Sequence, residues 1–203
     1  NPSGCTLDCL NHIEEVIQYE GPHTIAAMFI ETVTGTNGLI VPPDGYLQGL
    51  RQLCDKYGIL LVCDEVMAGF GRTGEWFFAG SESGRRVVPD IVTLAKALGS
   101  GIPVGACLVT EKIASHIKEN DLGTTFGGGP FITSVALASF NRISDPKFLQ
   151  HVVETGNYLM ERVSEINSPH IKEVRGRGLM IGVELDIDAG KVRDLGYNHG
   201  LLL

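Results

Sequence analysis

The sequence contains no CxxC pair, no cluster of lysine and arginine, and no apolar run approaching the length of a membrane span. Each absence removes a class of function. The five cysteines (Cys5, Cys9, Cys54, Cys63, Cys107) are odd in number and lack metal-ligand spacing, so neither a disulfide frame nor a zinc site is expected. Cys63 and Cys107 sit inside apolar runs, where a thiol behaves as a small hydrophobe. A net charge of -8 without any basic run argues against nucleic acid or an anionic membrane as partner, because both need concentrated positive charge. No stretch reaches the roughly 18 apolar residues of a membrane span, and the start lacks a charged-then-apolar leader pattern. The expectation is a soluble, cytoplasmic protein with a small ligand.

What is present is an ordinary globular mix, 43% hydrophobic and 20% charged over 203 residues, enough for one good core. The loop-like NPSGC at the start and the uncapped GLLL at the end read as a section of something longer. AAMFIE (26–31) and GILLVCD (58–64) are short apolar runs that each end in an acid, and DGYLQGLRQLCDKYG (44–58) between them has helical spacing. DIVTLAK (90–96) and GACLVT (105–110) read as further strands, with a short helix at EKIASHIK (111–118). Runs that are apolar on both faces suit an α/β architecture, a mostly parallel sheet with helices on each side. Helices are expected at 131–143, started by Pro130, and at 146–167; IKEVRGRGLMIGVELD (171–186) reads as two strands joined at Gly176 to Gly178. Ser144-Asp145-Pro146 marks the expected boundary, with residues 1–144 in a large domain and residues 145–203 opening a smaller α+β one.

DEVMAGFGRTG (64–74) contains Gly69-x-Gly71-x-x-Gly74, the spelling of a dinucleotide loop. Such a loop must follow its strand directly and open a helix, because the phosphates sit on the free N–H groups of that helix. Here Glu65 to Ala68 intervene and EWFFAG follows without helical spacing. Asp90 lies near the position of a ribose-binding acid, yet it follows Pro89 at the start of a new strand. The glycines are expected to turn the backbone.

Asp64 ends a strand where ligands of parallel sheets collect, and Lys96 ends the next expected strand among small residues, LAKALGSG. A lysine at a partly dry site loses proton affinity and attacks carbonyls. The same spacing also fits an N-cap aspartate and a lysine laid along apolar surface. GTTFGGGP (123–130) adds two hydroxyls, Thr124 and Thr125, with backbone N–H groups just before a helix, which suits a phosphate. ETVTGTNG (31–38) puts Glu31 at another strand end. An acid for a ring nitrogen, an amine for an aldehyde and hydroxyls for a phosphate together meet the needs of pyridoxal 5'-phosphate.

These stretches, FIETVTGTNGLIVPPDGYLQGLRQLCDKYGILLVCDEVMAGFGRTGEWF, PDIVTLAKALGSGIPVGA, GTTFGGGP and RGRGLMIGVEL, resemble the class III aminotransferases, pyridoxal-phosphate enzymes of fold type I. ETVTG and DEVMAGFGRTG are most similar to the branch that uses ω-amino acids or amines with pyruvate, taurine-pyruvate aminotransferase among them. The resemblance implies that Lys96 carries the cofactor as an aldimine and shuttles the substrate proton. It implies that Asp64 binds the pyridine nitrogen, that Val66 packs on the ring and that Thr125 reaches the cofactor phosphate of the neighbouring subunit in a homodimer. Glu31 would stand at the substrate, and Met67 occupies a position where many members have glutamine. Gly129 stands where the family usually has asparagine. Other cofactor and substrate groups of the family, a phosphate loop, a ring-stacking aromatic and a substrate arginine, have no match in these residues. Aminomutase or decarboxylase chemistry on the same cofactor, or a structural piece without activity, are the competing readings. Glu65, beside Asp64, is expected to be structural, and Arg72 and Arg177 either bind carboxylates or satisfy loop carbonyls.

Overall fold

The computed structural model describes residues 5–82, 84 and 86–203, so residues 1–4 of the loop-like opening lie outside the described residues. Four strands, β1 (Ala27–Glu31), β2 (Leu60–Asp64), β3 (Ile91–Leu94) and β4 (Ala106–Val109), form one sheet in chain order. β1, β2 and β3 run parallel, whereas β4 pairs antiparallel with β3. The antiparallel strand follows from the short connection between residues 94 and 106, which holds a single helical turn at Lys96–Leu98 and no crossover helix. Helices α1 (Asp8–Glu20) and α2 (Tyr46–Tyr57) precede β1 and β2, and α3 is a single turn, Glu111–Ala114, shorter than its apolar spacing suggests. α1 has a period that the sequence reading left unassigned. After β4 the chain forms α4 (Pro130–Ile143), α5 (Pro146–Ser164), the antiparallel pair β5 (Ile171–Arg177) and β6 (Met180–Leu185), and α6 (Ala189–Asn198).

The main core forms where the apolar stripes of α1 and α2 meet alternate residues of the strands. Ile17, Leu47, Leu50, Cys54, Leu61 and Cys63 are all nearly or fully buried there. At β2 the alternation puts Leu61 and Cys63 on this side and Asp64 on the other, the side on which Phe29 stands 71% exposed. A second cluster joins Phe70, Trp76 and Phe77 to Leu94 of β3 and to Ile143, Phe148 and Leu149 at the α4–α5 junction. Asp145 caps α5, accepting from the Lys147 amide at 3.0 Å, and Pro146 fixes the first turn. Asp90 ties three elements. Its Oδ2 accepts from the Leu61 amide at 2.8 Å and from Arg51 of α2 at 2.6 Å, and its carbonyl accepts from the Thr110 amide at 3.0 Å. Burial pushes its carboxyl up, but the Leu61 amide and the Arg51 guanidinium outweigh that and hold it below the usual range.

The two-stranded sheet does not stand apart from this body. Leu179 donates its amide to the Arg72 carbonyl at 3.0 Å, and Met180 at the start of β6 is buried in the main core. Gly178, in left-handed backbone at φ 55°, approaches the Arg72–Thr73 backbone so closely that a Cβ would lie 2.5 Å from the Thr73 carbonyl carbon. Gly156 of α5 closes the junction from behind. A Cβ there would lie 2.0 Å from the Gly178 carbonyl oxygen.

Alanine favours a helix interior over glycine by about 1 kcal/mol, but the overlap at Gly156 is with backbone, which cannot swing aside. Gly156→Ala is therefore expected to destabilise the protein by about 1–3 kcal/mol in urea unfolding, and an unchanged or raised midpoint would contradict this packing. Cys63 is fully buried and burial pushes its thiol up to about 12, so it stays protonated near neutral pH. Iodoacetamide should label it only after denaturation; labelling of the folded protein, read by mass, would contradict the burial.

Candidate active site

Three strand ends lie side by side. Glu31 at the end of β1 is paired in register with Asp64 at the end of β2, which is in turn paired with Thr93 of β3. Carboxyl ends of parallel strands are where such sheets place their ligands. The chain leaving each strand turns at once, so residues three positions on come together: Lys96 Nζ lies against Met67 Sδ.

The turn at Lys96 follows from its neighbours. A Cβ on Gly99 would lie 2.2 Å from the Ile102 carbonyl oxygen and 2.5 Å from Val104 Cγ1, so only glycine lets residues 96–104 fold back on themselves. Lys96 itself is held in left-handed backbone, φ 47°, as is Ser100 at φ 46°. Such a conformation costs a non-glycine residue about 1–3 kcal/mol and persists where the surrounding structure imposes it. Its ammonium is exposed and forms no salt bridge among the described residues. Small side chains on both sides, Ala95 and Ala97, leave open space around it: a cavity of about 290 Å³ bordered by Gly35, Met67, Arg72, Leu179 and Ile181, and another of about 730 Å³ toward Gly101–Val104.

Asp64 is half-buried, and its Oδ1 accepts from the Val66 amide at 2.9 Å, which fixes the carboxylate at the start of the turn. No cation pairs with it among the described residues. Met67 packs closely on Gly35, where a Cβ would meet its Cε and Cγ at 3.1 Å. Glu31 Oε2 accepts from the Gly35 amide at 2.9 Å, and Gly35, Met67 and Lys96 border one cavity. Thr124 and Thr125 are exposed on the loop before α4 and border neither of the two cavities around Lys96. Within one chain the register sets Glu31 and Asp64 at adjacent strand ends and the turns after them join Met67 to Lys96, with Val66 between Asp64 and Met67; of these, Lys96 and Met67 border the cavities, and the two threonines lie on a separate exposed loop.

An amine beside open space and a half-buried carboxylate on the adjacent strand end, neither with an ionic partner among the described residues, suit a cofactor that offers an aldehyde and a basic ring nitrogen. Pyridoxal phosphate fits that donor set. The dinucleotide alternative does not fit. Gly71 and Gly74 take left-handed backbone, φ 81° and 86°, in a turn where the Phe70 amide donates to the Trp76 carbonyl, and Gly74 presses on Val153 of α5. No helix follows them, and Asp90, the would-be ribose acid, is engaged by Arg51 and Leu61.

The sequence reading left unassigned the apolar wall supplied by Leu179 and Ile181, which belong to the distant β5–β6 hairpin. Its only local signal was the RGRG turn. Arg72 borders the two cavities around Lys96 and a third of about 360 Å³ that runs toward Ser139 and Phe148. Arg177 lies elsewhere, at the end of β5 opposite Met180, bordering a separate cavity on the hairpin.

Comparison with known proteins agrees with this geometry. The family model for aminotransferase class-III matches residues 4–203. Ornithine aminotransferase 1 of Staphylococcus aureus (strain COL) is 40% identical over 200 residues, covering 98% of this chain and 50% of that protein. The mitochondrial acetylornithine aminotransferase of Alnus glutinosa is 41% identical over 202 residues, covering 98% of this chain and 44% of that protein. Among solved structures, a thermostable (S)-enantioselective omega-transaminase from Thermomicrobium roseum superposes with a TM-score of 0.84 at 35% identity, covering 96% of this chain and 47% of that one. The chain spans about half the length of the curated relatives it matches. With the family model spanning all but its first three residues and the strand-end site in place, the chain belongs to the class III aminotransferases.

Proposed function

We propose that the protein containing this chain is a pyridoxal-phosphate-dependent aminotransferase that moves the terminal amino group of an ω-amino acid or amine to a keto acid such as pyruvate, working as a homodimer. The observation that carries this reading is the pair of charges, Asp64 and Lys96, at neighbouring strand ends with no ionic partner among the described residues. Bound pyridoxal phosphate supplies an aldehyde that captures the amine and a ring that absorbs the electron pair left when the substrate C–H bond breaks. Lys96 Nζ takes that proton as general base and returns it as general acid. Its flexible stem and the open space on both sides leave the nitrogen free to move between taking the proton and returning it. Asp64 would hold the ring nitrogen in its protonated form through a charge-assisted hydrogen bond, and the Val66 amide fixes its carboxylate. Val66 offers a branched surface for the ring face. Met67 offers a thioether, which cannot donate a hydrogen bond, so it would leave a ring oxygen of the cofactor without the donor that an amide would supply there.

The choice of a terminal amine rests on the relatives. Ornithine ends in a primary amine, and the Thermomicrobium protein is described as an omega-transaminase. Glu31, whose carboxylate is held by the amide of Gly35 at the edge of that cavity, would supply an acceptor for such an amine. The homodimer rests on Thr125, which faces solvent on this chain and fits the expectation that it serves the neighbouring subunit.

In the full-length protein Lys96→Ala should lower kcat by about 10²–10⁴-fold and abolish the absorbance of lysine-bound cofactor. Asp64→Asn should keep the cofactor and lower kcat by about 10²–10³-fold, in line with loss of one preorganised charge. Full turnover by Lys96→Ala would contradict the assignment. Amine consumption is expected to stop after one turnover unless keto acid is present; sustained turnover without it points to a different reaction.

A further inference from the structure

Glu65 directly follows Asp64, is 1% exposed and has no part in the chemistry above. Its backbone amide donates to the Thr93 carbonyl at 3.0 Å, its carbonyl accepts from the Gly69 amide at 2.9 Å, and its Oε1 accepts from the Ala79 amide at 2.9 Å. The Thr32 side chain, fully buried just beyond the end of β1, stands beside the carboxyl. Neither Glu65 Oε2 nor Thr32 Oγ1 has a hydrogen-bond partner in the arrangement seen. The two are neighbours whose contact is not closed. Two unsatisfied buried oxygens side by side are costly, and a hydrogen bond between them would satisfy Oε2, given either by the Thr32 hydroxyl to a carboxylate or by a protonated Glu65 to the hydroxyl; the charge balance decides between the two.

That balance favours the protonated acid. Burial pushes the Glu65 carboxyl above the usual carboxylate range, and the Ala79 and Phe78 amides and the Thr32 hydroxyl offset that only in part. The titratable groups that act on it are Asp64 and Cys63, both acids; the end of β1 and the 78–79 segment bring only a hydroxyl and amides, and no salt bridge among the described residues involves Glu65. A carboxylate so placed would be both desolvated and repelled by Asp64.

We infer that Glu65 is a neutral carboxylic acid and a positioning residue for Asp64: its Oε2–H donates to Thr32 Oγ1 while Oε1 accepts from Ala79. This lock joins the end of β1 to the 78–79 segment around the Asp64–Met67 turn. Asp64 is held inside it, since the Thr32 amide donates to the Asp64 carbonyl at 3.4 Å on one side and Glu65 bonds to β3 on the other. The neutral acid also leaves Asp64 as the only negative charge facing the cofactor from this turn. That catalytic consequence rests on the function proposed above; the protonation state does not.

The test compares wild-type full-length protein with Glu65→Gln and Glu65→Ala. At about pH 7 the infrared difference spectrum between wild type and Glu65→Gln should contain the C=O band of a protonated carboxyl. Glutamine keeps an acceptor for Ala79 and a donor for Thr32, so Glu65→Gln should retain most of kcat/KM and the cofactor absorbance, whereas Glu65→Ala should lose about 100-fold in kcat/KM through displacement of Asp64. The stability arms have a definite sign. A carboxyl raised on folding stabilises fully below its unfolded pKa of about 4.3 and less as pH rises above it, so the Tm of Glu65→Gln relative to wild type should climb with pH from there. Absence of the acid band, or a glutamine variant as impaired as the alanine one, overturns the inference; should the alanine variant fail to fold, the infrared and glutamine arms still decide. A clear acid band in a protein that shows no pyridoxal-phosphate-dependent turnover upholds the lock and sinks the aminotransferase reading instead.

Discussion

The parallel register of β1, β2 and β3 is the constraint on which the rest of this site depends. It sets Glu31, Asp64 and Thr93 in one row, and each chain then turns away through residues that have little choice of conformation. A slip of one residue in β2 would send Asp64 into the apolar core and Cys63 out beside the lysine turn, because side chains alternate across a strand. The core guards against that slip. Leu61 and Cys63 are fully buried against α2, and Asp90 grips the backbone of Leu61 through both its amide and its carboxylate.

Around that row the structure places small or strained residues where the chain must pass close to itself. Gly99 permits the fold-back after Lys96, and Gly178 and Gly156 let the β5–β6 turn sit on the loop after Met67. The second contact shapes the candidate site as well as the fold, since it brings Leu179 and Ile181 to the cavity that Lys96 borders. An apolar wall from a hairpin more than 80 residues downstream in sequence completes a space whose polar members come from strand ends.

Much of this was legible in the sequence because the signals are local. Apolar runs ending in acids marked β1 and β2, Pro130 and Asp145-Pro146 marked helix starts, and the absence of helical spacing after Gly74 separated a turn from a nucleotide loop. What was not legible depends on distant partners. The antiparallel setting of β4 is a matter of connection length and pairing, and its residues read the same in either direction. Asp90 looks like any acid at a strand start until Arg51 of α2 is seen beside it. The apolar wall at Leu179 and the unclosed contact between Glu65 and Thr32 are juxtapositions that no window of sequence contains. The places of Lys96 and Asp64 lay in between: spacing put them at strand ends, and only the register showed that those ends are neighbours.

The most direct test of the central claim is a crystal structure of the full-length protein with pyridoxal phosphate. The account requires continuous density from Lys96 Nζ into the cofactor, with the Asp64 carboxylate within hydrogen-bond distance of the ring nitrogen. Cofactor bound elsewhere, or a ring whose nitrogen faces away from Asp64, would contradict it.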